Sequence, residues 1–129
     1  MNTQINPLEL LPTGLATNIT LCGGEESQWV AEINAMSLDN KSEIRVRLTF
    51  GGAAQIRMGN YEDREVSSNY LLTKVKSSIW VDQELDCYVK KFGTNLLPVV
   101  KNLEHYVLRG HDLSIGFLAR KVECSIIKI

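Results

Sequence analysis

The run from Ile44 to Met58 constrains this chain more than any other segment. Ile44, Val46, Leu48 and Phe50 alternate with Arg45, Arg47 and Thr49, the two-residue period of a strand with one face on a core and one in water. Gly51 and Gly52 follow directly, and Ala54, Ile56 and Met58 resume the alternation with Gln55 and Arg57 on the other side. Two glycines tolerate the positive φ angles of a tight turn, so the stretch reads as a β-hairpin.

The same pattern recurs along the chain. Ile19 and Leu21 mark a short strand between Gly14 and the Gly23-Gly24 pair. Trp29, Ala31, Ile33 and Ala35 share a face over residues 29–36, and Asp39-Asn40-Lys41 reads as the turn that ends it. Leu103–Arg109, a turn at Gly110-His111-Asp112, and Leu113–Ala119 form a second hairpin pattern. In the last segment, from Val122 to Ile129, Cys124 and Ile126 point one way and Ile127 and Ile129 the other, which implies cover on both faces.

One segment leaves helix and strand open. Over residues 66–81, Leu72, Val75 and Ile79 fit a helical stripe, while Leu71, Val75, Ile79 and Val81 fit an interrupted strand face. The reading favoured here is a loop and then a strand ending at Trp80, with a helix as the alternative. Leu85, Cys87, Val89 and Phe92 make a further short apolar segment, stopped by Gly93-Thr94-Asn95. Short strands separated by turns predict a mainly β fold, an antiparallel sandwich or half-barrel, with one short helix giving the α+β alternative. No regular alternation of strand and helix supports a doubly wound sheet.

A length of 129 residues fits one domain, residues 1–129, with residues 1–14 as an N-terminal arm because Pro7 and Pro12 break any long helix there. A domain of this size hides roughly two-thirds of its unfolded surface, enough for a core without metal or disulfide staples. Hydrophobic residues at 44% and charged residues at 22% are ordinary for a globular chain. Met1–Thr20 has neither the basic start nor the apolar run of a leader peptide, and no stretch approaches the roughly 18 apolar residues of a membrane helix. A cytoplasmic location is the expectation.

Candidate chemistry is sparse. Cys22, Cys87 and Cys124 are odd in number and far apart, which fits reduced thiols better than disulfides or a zinc site. His105 beside Glu104 and His111 beside Asp112 are the first candidates for acid–base work, but adjacent residues on a strand face opposite ways. Catalytic, metal and cofactor sites are therefore not expected: the glycine pairs lack phosphate-loop spacing and no nucleophile elbow is present. Arg45, Arg47 and Arg57 predict a basic stripe, with Tyr61 and Tyr70 as stacking partners, yet the net charge of −1 gives a polyanion partner no general support.

Two acidic stretches with aromatic neighbours point instead to a protein partner. Tyr61, Glu62, Asp63 and Glu65 form the first; Trp80, Asp82, Glu84 and Asp86 form the second. Aromatic anchors give binding energy and carboxylates steer a basic partner into place.

RVRLTFGGAAQIRM, residues 45–58, resembles the central hairpin of small bacterial immunity-type proteins, which neutralise a toxin encoded beside them. HYVLRGHDLSIGFLARKVEC, residues 105–124, is similar to their closing strands. The resemblance implies a non-enzymatic binding protein and carries over no specific interface residue; taken with the two acidic stretches, it gives the expected function, an inhibitor that occludes the active site of a basic toxin. Two other readings stay open: a small-molecule-binding or enzymatic β-domain using His105 or His111, and a subunit of a larger assembly.

Overall fold

The structure, a computed structural model, describes residues 3–4, 15–23, 28–37, 39, 41–52, 55–59, 71–75, 78–93, 102–110 and 114–128. They form two antiparallel sheets and one helix. The four-stranded sheet has the order β2 (Thr17–Gly23), β3 (Trp29–Met36), β4 (Glu43–Gly51), β9 (Lys121–Lys128). The five-stranded sheet has the order β1 (Thr3–Gln4), β6 (Leu72–Val75), β7 (Glu104–Arg109), β8 (Ser114–Ala119), β5 (Gln55–Gly59). The expected mainly β sandwich with one short helix is the observed architecture. Within the stretch expected to be an arm, Thr3 and Gln4 pair with Thr73 and Lys74 as an edge strand.

Alternation explains the core. Ala31, Ile33 and Ala35 from β3 pair with Leu48, Val46 and Ile44 from β4, and all but the half-buried Ile44 are at most 2% exposed. Tyr106, Leu108, Ile115, Phe117 and Ala119 meet them from the five-stranded sheet. Phe50 joins the two layers: its ring stacks on Phe117 at 3.8 Å between centroids and tilts against Tyr106 at 5.8 Å. The sheets also touch along one backbone seam, where Ala16 bridges Gly110 and donates its N–H to the Arg109 carbonyl at 2.8 Å.

The expected hairpin at Gly51-Gly52 is not formed. β4 already has β3 on one edge and β9 on the other, so no edge remains for β5, which pairs with β8 in the other sheet. β4–β5 and β8–β9 are instead two strand pairs that turn the same corner from sheet to sheet. The last pair on one side of the corner is Gly51↔Lys121 and the first on the other is Gln55↔Leu118. The corner is tied by the Arg120 N–H donating to the Gly51 carbonyl at 2.8 Å. Only the second glycine has positive φ, at 80°, unlike the two-residue hairpin turns that place it at the first or at both positions.

Gly52 is held there by space as well as by dihedral angle. A Cβ at this position would lie 2.7 Å from Arg120 Cβ, a contact that moving the end of a side chain cannot relieve. Gly52→Ala is expected to cost about 1–3 kcal/mol by urea denaturation. Gly51→Ala, whose nearest neighbour is the mobile Lys121 Cε at 3.3 Å, is expected to be the milder of the two.

Of the segment 66–81, residues 71–75 and 78–81 are described, and there each alternative holds in part. β6 ends at Val75, and α1 (Ile79–Phe92) begins four residues later, so Trp80 is in a helix and not at a strand end. Ser78 caps the helix by accepting the Val81 N–H at 3.3 Å. Asp82 sits in the first turn and Lys90 and Lys91 in the last, each complementing the helix dipole. Gly93 at φ 75° closes it by donating its N–H to the Val89 carbonyl. The last strand also differs from expectation: Ile126 and Ile127 are 48% and 41% exposed, so β9 is covered on neither side at that end.

Candidate functional site

The best-defined cluster of polar and aromatic side chains lies where α1 rests on the outer face of the five-stranded sheet. Strand register sets its floor: Val75, His105, Leu118 and Gln55 line up across β6, β7, β8 and β5. The start of α1 is fixed to that row. Ser78, 4% exposed, shares a hydrogen bond of 2.8 Å with His105 Nδ1 while capping the helix. Trp80 packs edge-on against the His105 ring at 5.1 Å between centroids, and the Arg57 guanidinium lies 4.3 Å from the Trp80 ring centre. One turn on, Glu84 accepts the Gln55 amide N–H at 2.6 Å.

This arrangement separates the residues expected to act together. Trp80 is 6% exposed and faces the sheet, so it anchors the helix and offers no ring to a partner. Glu84 is half-buried and engaged by Gln55. Asp82 and Asp86 are exposed and, four residues apart on a helix, lie on one face. Helical spacing adds Ile79 and Gln83 to that face, and Ile79 is 59% exposed. The outward row is thus Ile79, Asp82, Gln83 and Asp86, an apolar side chain followed by two carboxylates. Tyr61, Glu62, Asp63 and Glu65 lie outside the described residues, as do His111 and Tyr70.

Reasoning from sequence missed Ser78, Arg57 and Gln55 as the residues that hold the helix, and Ile79 as its exposed apolar group. Ser78 was findable: a serine followed by Asp82 and Glu84, with Lys90-Lys91-Gly93 beyond, is the start-and-stop signature of a helix.

The other candidates are placed elsewhere. His105 is 1% exposed, enclosed by Ser78 and Trp80, and strand alternation turns the neighbouring Glu104 to the opposite face. The expected basic stripe is split between sheets. Arg45 clamps the bulge in β2, donating to the Asn18 carbonyl at 2.6 Å, Asn34 Oδ1 at 3.0 Å and Thr20 Oγ1 at 3.3 Å. Arg47 pairs with Glu32 at 3.3 Å, and Arg57 is over Trp80 on the far side of the molecule. A shallow cavity of about 320 Å³ opens at the corner between Gly52, Asn102, Arg120 and Lys121, away from the acidic row.

Among the described residues no three His, Cys, Asp or Glu side chains cluster as metal ligands, and no helix is long and apolar enough to cross a membrane. Cys22, Cys87 and Cys124 are all free. Burial pushes the Cys124 thiol up to about 11, which leaves roughly one thiolate in a thousand at pH 8. Maleimide titration of the folded chain at that pH is expected to label the exposed Cys22 and Cys87 quickly and Cys124 slowly, with all three equal in denaturant. Three equal rates in the folded chain would show that Cys124 is not shielded.

Compared with known proteins, the chain matches no family model, no curated protein and no solved structure.

Proposed function

We propose that this chain is a non-enzymatic protein-binding domain acting in the cytoplasm, an immunity-type inhibitor whose α1 face covers the active site of a basic toxin. The observation that carries the reading is the outward row on α1. The helix dipole accounts for Asp82 in the first turn, but it accounts neither for Asp86 a turn later nor for an isoleucine left 59% exposed at the helix start. An exposed aliphatic group beside two carboxylates fits a partner with an apolar notch rimmed by lysine or arginine. Rigidity supports the same reading. Ser78, Trp80, Arg57 and the Gln55–Glu84 bond fix the helix before any partner arrives, which lowers the ordering cost of association.

The test is a double charge reversal, Asp82→Lys with Asp86→Lys, leaving Glu84 in place. Partner affinity, measured by calorimetry with the basic protein that the wild-type chain retains, is expected to fall by about 2–3 kcal/mol, or roughly 30- to 150-fold. Circular dichroism is expected to stay unchanged, because both side chains point into solvent. Unaltered affinity in the folded variant would remove α1 as the interface.

A further inference from the structure

The four-stranded sheet ends in two unlike edges. On one side β2 is bulged between Thr17 and Thr20, Asn18 sits at φ 48°, and its carbonyl is occupied by Arg45. Bulges of this kind blunt an edge against further pairing. On the other side β9 runs in unbroken register from Gly51↔Lys121 to Val46↔Ile126, and among the described residues it pairs with β4 alone. The edges of the five-stranded sheet are shorter, two residues in β1 and five in β5. β9 also carries two of the large exposed hydrophobic side chains, Ile126 and Ile127, and its Val122 and Cys124 are only half-buried. A long, regular, apolar edge invites another strand.

We propose that β9 pairs with β9 of a second copy of this chain, antiparallel about a two-fold axis through Cys124. The pattern of β9 is self-complementary in this register alone. Val122, Cys124 and Ile126 lie on the core side of the sheet, as the pairs Phe50↔Val122, Leu48↔Cys124 and Val46↔Ile126 require. A two-fold at Cys124 sets that row against Ile126, Cys124 and Val122 of the second copy, so both cores extend across the junction. On the outer face Glu123 meets the hydroxyl of the second copy's Ser125, and the Lys121 stem meets its Ile127. Moving the axis to Glu123 would put two carboxylates directly opposite each other, and moving it to Ser125 would set Glu123 against Ile127, both unfavourable cross-strand pairs. The irregularity opposite Arg45 and Val46 begins after Ile126, so the core-side row Val122, Cys124 and Ile126 lies wholly in the flat part of the edge. The product is a continuous sheet of two four-stranded halves with an isologous interface. α1 rests on the other sheet, so this association is independent of the acidic row.

An interface this small is expected to be weak, with Kd on the order of 10 μM. Sedimentation equilibrium of the full chain from about 1 to 500 μM is expected to show the mass rising from 14.5 kDa towards twice that value. The variant Ile126→Lys with Ile127→Lys is expected to remain monomeric throughout with an unchanged circular dichroism spectrum, while Ile79→Lys on the helix dimerises as the wild type does. In a Cys22→Ser, Cys87→Ser background, a 1:1 mixture of Glu123→Cys and Ser125→Cys chains, both positions exposed on the outer face, is expected to be joined by a short bismaleimide into a covalent dimer more readily than either variant alone. A monomer at every concentration overturns the proposal. So does a dimer that survives the double lysine substitution, and a dimer in which the mixture cross-links no better than either single variant overturns the register.

Discussion

Phe50→Ala is expected to destabilise the chain by about 3–5 kcal/mol, a large share of the roughly 5–15 kcal/mol that holds a domain of ordinary stability together. The expectation follows from where the ring sits. Phe50 is fully buried, stacked on Phe117 at 3.8 Å and tilted against Tyr106 at 5.8 Å, so it fills the space between the sheets from the four-stranded side. Truncation removes its buried apolar area and the ring–ring attraction together. It also leaves a void that backbone fixed by β3 on one side and β9 on the other cannot close. Urea denaturation followed by tryptophan fluorescence and by far-UV circular dichroism is expected to show a lower midpoint with an unchanged slope. Phe50→Leu, which keeps much of the volume, is expected to lose clearly less. A loss under about 1 kcal/mol for the alanine variant would show that the sheets are joined elsewhere.

What could be read from the sequence, and what could not, follows from how far each signal reaches. The faces of β3 and β4 were legible because burial of one side writes a two-residue period into the chain itself, and Ala31, Ile33, Val46 and Leu48 are buried as that period requires. Pairing is not written there. The alternation on both sides of Gly51-Gly52 is the same for a hairpin as for two strands that turn a corner, and only the filled edges of β4 decide between them. The helix was obscured for a different reason. α1 buries Trp80 and leaves Leu85, Tyr88 and Val89 part-exposed, so its apolar period is shallow, and its evidence lay in the cap residues Ser78 and Gly93. That one misreading carried into the site. On a helix, Trp80 and Glu84 turn towards the sheet, and Ile79 takes the place beside Asp82 and Asp86. The bond between Gln55 and Glu84 joins residues 29 apart in sequence and belongs to the tertiary fold alone.

Trp80→Ala is expected to release α1 from the sheet. A helix of 14 residues is marginal in water on its own, and Trp80 is the residue it buries. Its loss removes the edge contact with His105 and the seat for Arg57, for a cost of about 3–5 kcal/mol if the helix and the sheets unfold as one unit. If the helix is instead a local unit, the same change appears as local opening. Hydrogen exchange separates these outcomes: residues 79–92 are expected to lose protection in the variant while β3 and β4 keep theirs. Trp80→Phe, which keeps a ring against His105, is expected to retain most of the protection. Partner affinity should follow the helix and not the ring. Trp80 is 6% exposed and offers a partner almost no surface, so any loss of binding in Trp80→Ala must pass through the displacement of Ile79, Asp82 and Asp86. A variant that kept full protection in α1 would show that Ser78 and the Gln55–Glu84 bond alone hold the helix, and would reduce Trp80 to a filler of the space above His105.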